Sequence, residues 1–352
     1  DPKTVLLMAL NMQDETSRLR AVGLGVAQQN GPVPDIKDAY MKQTTNNLLM
    51  VRPLSFRKNE QTAINNLYQK ELSKLSHMEI QERALAEFDA LVQQLKRVGI
   101  RVLVLQDTEK PTTPDGFFTD NWVSFHEDGT VGLYPIFAPN NRLERTEDLF
   151  EFLEASGFEI AGFVDYTSAA EQGYFLEGTG SMVLDRVHRK AYCALSARTD
   201  EELFIEFCED FEYTPVVFTA FHTVEGGRVP RDHTNMVLCV GTHFAVLCLE
   251  SIDDKSERKT LLQHLKEDGK ELLLISEAQA ANFAGNLLQV ENAFGQQYTV
   301  MSETAFQSLR PEQIAMLERH TQIISTPLPT IENFAGGSAG SMLTEVFLPK
   351  SK

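Results

Sequence analysis

Short apolar runs alternate along this chain with turn formers and charged stretches. NWVSF, beginning at Asn121, leads into the turn His126-Glu127-Asp128-Gly129 and then TVGLYPIF. SMVLD is followed by a turn at 186–189 and KAYCAL, NMVLCV by Gly241-Thr242-His243 and FAVLCLE, and NLLQV by a turn through Gly295 and QYTVMS. Apolar runs of roughly four to eight residues between turn formers predict β-hairpins. The charged stretches that follow carry helical spacing and predict helices over 146–156, 199–210, 254–267 and 303–321. A fifth copy, SMLTEVFLP, has no partner strand after it. The apolar run Leu48-Leu49-Met50-Val51 is predicted to pair with it, closing a ring and removing an exposed sheet edge.

The five copies open on Asn121, Ser181, Asn235, Asn286 and Ser341, at steps of 60, 54, 51 and 55 residues. A repeat of this size is one supersecondary unit copied around an axis, and copied units place equivalent positions at the same end of a fold. Asp120, Glu177, His233 and Ser341, each at or just before a hairpin, are therefore predicted to meet in one pocket. Residues 1–40 stand apart as an N-terminal extension, a fusion remnant or an added edge element. That stretch contains a predicted strand over Arg20–Val26 and the turn-rich segment Gln29–Pro34. Met41 reads as a native start, and residues 41–352 as one domain.

Composition narrows the function classes. A chain of 352 residues with 42% hydrophobic side chains can bury a large core. Its formal charge of −18 repels phosphate backbones and anionic membrane surfaces, so no nucleic-acid or membrane partner is expected. No apolar run approaches the ~20 residues of a bilayer span, and Val5–Leu10 is followed by no small-residue cleavage site. Cys193, Cys208, Cys239 and Cys248 form no CxxC pair, and three of them lie in apolar strands. Core filling in a reducing, cytoplasmic setting is the expectation.

The chemistry of the four convergent groups is specific as a set. A carboxylate such as Glu177 can hold the N–H groups of a guanidinium or ureido head by paired hydrogen bonds. His233 can pass a proton to a leaving amine and then activate water. A nucleophile at position 341 could attack the planar carbon between them. Singly, each has a plainer reading: Glu177 faces solvent, His233 bonds backbone, Asp120, Asn121 and Asn235 form turns, and Ser341 belongs to a glycine-rich turn.

Six ordered motifs carry a resemblance covering about residues 45–350: MVRPLSFRKNEQTAINN, FFTDNWVSFHEDG, LEGTGSMVLDR, DHTNMVLCVG, FAGNLLQV and GGSAGSMLTEVFLP. Together they resemble the amidinotransferase or guanidine-modifying superfamily, the penteins, and within it the group that includes citrulline hydrolases. The resemblance implies an α/β fold, a five-bladed α/β propeller with a central pocket. It also implies thiol attack on a guanidino or ureido carbon through a covalent intermediate, without metal or organic cofactor. Carried over by position, Glu177 matches the substrate-binding carboxylate and His233 the general acid/base. Asp120 or Asn121 matches a further substrate-binding position, and Asn235 a position that is aspartate in arginine-specific relatives. The family pattern has Arg-Cys where this chain has Gly340-Ser341. A serine hydroxyl is far less acidic and nucleophilic than a thiol, which puts turnover in question. The alternative is a catalytically inactive relative that binds an amino-acid ligand or a protein partner. The amides of Asn121 and Asn235 can both donate and accept, which favours a neutral ureido ligand such as citrulline. Arg142 or Arg145, just after the first hairpin, is the candidate for a substrate carboxylate. Nothing in the sequence bears on the number of subunits.

Overall fold

The computed structural model describes residues 41–54, 56, 76–107, 115–144 and 148–351. The strand expected over Arg20–Val26 and the candidate Arg145 lie outside the described residues. Residues Lys42–Lys352 form one compact unit.

All four expected hairpins form, and each belongs to a three-stranded sheet. The long strand β1 (Asn47–Arg52) pairs in parallel with β2 (Arg101–Gln106). In the first hairpin unit, β3 (Val123–Phe125) pairs antiparallel with β4 (Thr130–Leu133), and β4 pairs in parallel with β5 (Gly162–Asp165). The same order recurs in β6 (Met182–Asp185), β7 (Lys190–Leu195) and β8 (Thr214–Thr219). A separate hairpin then intervenes, β9 (Phe221–Val224) and β10 (Gly227–Pro230). The third unit is β11 (Leu238–Val240), β12 (Phe244–Leu247) and β13 (Glu271–Leu274), and the fourth is β14 (Leu288–Glu291), β15 (Gln297–Ser302) and β16 (Gln322–Thr326). β17 (Thr344–Glu345) pairs antiparallel with β1, Leu48 opposite Glu345 and Leu49 opposite Thr344, as expected from the unpartnered apolar run.

The third strand of each unit is an addition to the expected hairpin-plus-helix pattern. A strand parallel to its neighbour needs a crossover, and helices provide it. Asp148–Ala155, Glu201–Asp210 and Lys255–Glu267 do so close to the expected ranges. The expected single helix over 303–321 is two, Glu303–Ser308 and Pro311–Glu318. Pro311 disfavours helical backbone in the residue before it, and Arg310 is extended at φ −77°, ψ 156°.

The longest helix among the described residues, His77–Arg97, buries Ile80, Ala84, Phe88, Leu91, Val92 and Leu95 at helical spacing, and starts with a reciprocal Ser76–Glu79 capping box. Its Glu87 carboxylate accepts from the amides of Thr330 and Ile331, capping the helix Pro329–Ala335. That helix ends at Gly336, in the left-handed region at φ 69°, and releases the chain into the segment carrying Ser341. All four cysteines are buried and unpaired, as core filling requires.

Candidate active site

The hairpin openings are tight turns rather than strand starts. Helical or 3₁₀ turns span Thr119–Asn121, Gly178–Ser181, Thr234–Met236 and Ala339–Met342. Glycines allow these turns to pack on one another. A Cβ on Gly178, which sits at φ 42°, would strike the carbonyl of Asp120, and one on Gly285 would strike that of Met236. A Cβ on Gly180 would lie 2.5 Å from Asn121 Oδ1 and 3.3 Å from His233 Nδ1. Neighbouring units thus meet backbone to backbone where the polar side chains gather.

Glu177 is the centre of the charged part. Its Oε2 lies 2.6 Å from His233 Nε2 and 3.3 Å from Arg198 Nη1, and its Oε1 accepts from the Phe137 amide at 2.9 Å. Burial alone would raise this carboxyl, but Arg198 and then His233 outweigh it and hold the group down to about 2. An ionised carboxylate only accepts, so the His233 proton facing it sits on Nε2 and Nδ1 faces the Gly180 side. Ser181 fixes the turn beneath, its Oγ accepting from the Glu177 amide and donating to the Arg198 carbonyl, both at 2.9 Å. Asp232 Oδ2 is 3.5 Å from Arg198 Nε, so the guanidinium bridges two acids.

Asp120 behaves oppositely. It is buried and near ionised Glu177, and both effects push its carboxyl well above the usual range. Asn235 Nδ2 donates to Asp120 Oδ2 at 3.2 Å. Asn121 Oδ1 and Asn235 Oδ1 are buried acceptors, and Asp120 Oδ1 is a buried carboxyl oxygen, all with no hydrogen-bond partner among the described residues. Buried acceptors left unpaired cost ~1–3 kcal/mol each, so an N–H-rich group placed here is favoured.

Ser341 is buried, and Asn286 is its side-chain partner: Asn286 Nδ2 donates to Ser341 Oγ at 3.0 Å and Asn286 Oδ1 accepts from the Ser341 amide at 3.2 Å. Among the described residues, no carboxylate or imidazole bonds this hydroxyl. Arg142 donates Nε and Nη2 to the carbonyls of Ile136 and Phe137 and lies over the Phe175 ring. It thereby holds the loop whose Phe137 amide reaches Glu177.

The structure therefore links these side chains through adjoining turns, while the cavity between the units takes in only some of them. Asp120, Asn235, Asn286 and Gly340 border a space of about 60 Å³ that continues to Arg186 and Glu345, and Glu177, His233 and Ser341 do not line it. Sequence reasoning missed Arg198 and Asp232, which sit singly in loops. Asn286 was visible as a hairpin opening, but only the fold shows its side chain at Ser341.

The three-stranded sheets of mixed direction, the helical crossovers and the acid–imidazole–guanidinium cluster define a mixed α/β protein of the arginine-modifying penteins, the amidinotransferase superfamily. The family described as N,N dimethylarginine dimethylhydrolase, eukaryotic, matches residues 52–348, and the chain belongs to it. No functionally curated protein matches the chain. Apo ArgZ, an arginine dihydrolase of the ornithine-ammonia cycle in Cyanobacteria, superposes with a TM-score of 0.67 at 18% identity. The match covers 86% of this chain and 41% of ArgZ, so the chain spans about two-fifths of that protein's length. The product-bound N-terminal domain of ArgZ gives 0.65 at 18% identity, over 86% of this chain and 99% of the domain. A dimethylarginine dimethylaminohydrolase variant, an adduct with S-methyl-L-thiocitrulline, gives 0.57 at 13% identity over 86% and 99%. At these identities the likeness concerns the fold.

Proposed function

We propose that this chain is a five-bladed α/β propeller that binds a citrulline- or arginine-like amino acid in a site of the guanidino- and ureido-hydrolase type, with Ser341 standing at the nucleophilic cysteine position. The five three-stranded sheets and the β17–β1 pairing support the propeller reading. Glu177 and Asp120 receive the N–H groups of the ligand head together with Asn121 and Asn235, and His233 serves as general acid/base. Residue 341 is the nucleophile position, and Arg142 supports the ligand's carboxylate end or the loop beside it. Residues 1–40 are an N-terminal extension or a fusion remnant, and 41–352 form the domain. The unpaired cysteines support a reducing, cytoplasmic setting, and among the described residues no helix is long and apolar enough to cross a membrane.

The single observation that carries this reading is the Glu177–His233 pair beside three unpaired buried oxygens. A ureido head offers N–H donors to the two amide oxygens and a carbonyl to which an un-ionised Asp120 can donate. Its neutrality also suits a site where Arg198 offsets Glu177, burial disfavours a charge on Asp120, and position 235 is an amide.

The second reading, a ligand-binding relative without turnover, draws on Ser341. Its hydroxyl has an amide neighbour and, among the described residues, no base, whereas a serine nucleophile needs one. Calorimetric titration with L-citrulline, L-arginine and agmatine, paired with ammonia assays, separates the readings. Binding without ammonia supports the second, ammonia release lost in Ser341→Ala supports serine catalysis, and no binding of any of the three contradicts both.

A further inference from the structure

Asn286 is almost fully buried, and its side-chain orientation is fixed by chemistry. The Ser341 main-chain N–H can only donate, so the atom 3.2 Å from it must be Oδ1. The Asn235 carbonyl can only accept, and it lies 3.4 Å from the other atom, Nδ2. Two independent partners thus agree, and Nδ2 is the atom 3.0 Å from Ser341 Oγ. The backbone holds the residue as firmly. Asn286 N donates to the Phe283 carbonyl at 2.9 Å, Phe283 takes the left-handed conformation at φ 62°, and Gly340 N donates to the Asn286 carbonyl at 3.3 Å. A bulky residue rarely adopts that conformation, so the turn is set by its surroundings.

We propose that Asn286 is the positioning residue for the nucleophile: its Nδ2 amide fixes the direction of the γ atom at position 341 and donates a hydrogen bond that favours that atom's anionic form. The inference rests on reading 341 as the nucleophile position, and it adds a residue acting through that position rather than on the ligand. An N–H aimed at an oxygen or sulfur stabilises negative charge there. One amide cannot take the proton away, so Asn286 orients a nucleophile without replacing the missing base. The gain is realised on a thiolate and little on a serine hydroxyl.

The test uses the full chain carrying Ser341→Cys, with thiolate absorbance followed against pH. Adding Asn286→Asp keeps the shape and the acceptor for the Ser341 amide, but removes the donor and adds a negative charge. The thiol pKa is expected to rise by about one unit or more; Asn286→Ala should raise it by less. Equal thiol pKa values in all three chains would overturn the proposal. If the double variants do not fold, the side-chain amide resonances of Asn286 in the single Ser341→Cys chain decide. They should move with the thiol titration, and resonances that stay still through it would overturn the proposal. A chain that titrates as expected but binds no citrulline or arginine leaves the positioning role standing and sinks the hydrolase reading.

Discussion

Glu177 Oε2 lies 2.6 Å from His233 Nε2 and 3.3 Å from Arg198 Nη1, so one carboxylate oxygen is shared between an imidazole and a guanidinium. This arrangement keeps a buried acid charged and aims one side of the histidine ring away from it.

Removing that acid should be costly. Glu177→Ala leaves Arg198 buried without one of its two acids and should destabilise the chain by about 3–5 kcal/mol, measured by urea unfolding at neutral pH. The carboxyl drops from an ordinary 4.5 to about 2 on folding. Its contribution is therefore fully present above 4.5 and is lost as pH falls towards 2. A Glu177→Gln chain should show a flatter stability profile across that window, and an unchanged slope would contradict the shared-carboxylate account.

Asp120 makes ligand charge measurable. Its carboxyl is raised well above 3.8 by burial and by Glu177. A guanidinium placed beside it favours ionisation, so arginine binding should release a proton, whereas citrulline should release none. Calorimetry in two buffers of different ionisation enthalpy reads the difference. Equal proton release for both ligands would count against Asp120 meeting the head group.

Position 340 limits how far the family pattern can be restored. A Cβ there would lie 3.0 Å from the Asn286 carbonyl carbon and oxygen, which must then give by a few tenths of an ångström. Gly340→Ala should cost ~1–3 kcal/mol by overpacking, and Gly340→Arg at least as much, read as shifts in the urea midpoint. Neutral substitutions would show that this contact relaxes freely.

His126 supplies a separate pH signature. It is buried, bonded through Nε2 to Ser124 Oγ at 2.8 Å, and stacked on Phe211. Burial, with Arg186 and Arg189 nearby, pushes its pKa well below 6.5. Below pH 6.5 the unfolded chain takes up a proton that the folded chain does not, so stability falls as pH decreases from there. His126→Gln should flatten that part of the profile; an identical slope would mean the imidazole protonates in the folded state.

The repeat was legible because each hairpin alternates apolar runs with turn formers, and its even spacing brought out Asp120, Glu177, His233 and Ser341. The pairing of Leu48 with Glu345 followed from an apolar run that lacked a partner. Three kinds of feature were hidden. Third strands such as GFVD and ELLL are only four residues long and carry too little pattern. The helix His77–Arg97 and the hairpin Phe221–Pro230 fall outside the repeat that organised the reading. Arg198 reaches Glu177, and Asp232 reaches Arg198, only through folding, since a lone loop residue has no periodicity to betray its contacts.

The most direct measurement joins position 341 to the bound ligand. The Ser341→Cys chain is incubated with L-citrulline or L-arginine, quenched in acid and weighed intact by mass spectrometry, with ammonia assayed in parallel and binding confirmed by calorimetry. A thiolate placed by Asn286 next to a bound head group should form a covalent adduct mapping to residue 341 and release ammonia. The serine chain should bind the same ligand with little or no release. Confirmed binding with neither adduct nor ammonia, in both this variant and the Gly340→Arg/Ser341→Cys double, would contradict the assignment of 341 as the nucleophile position.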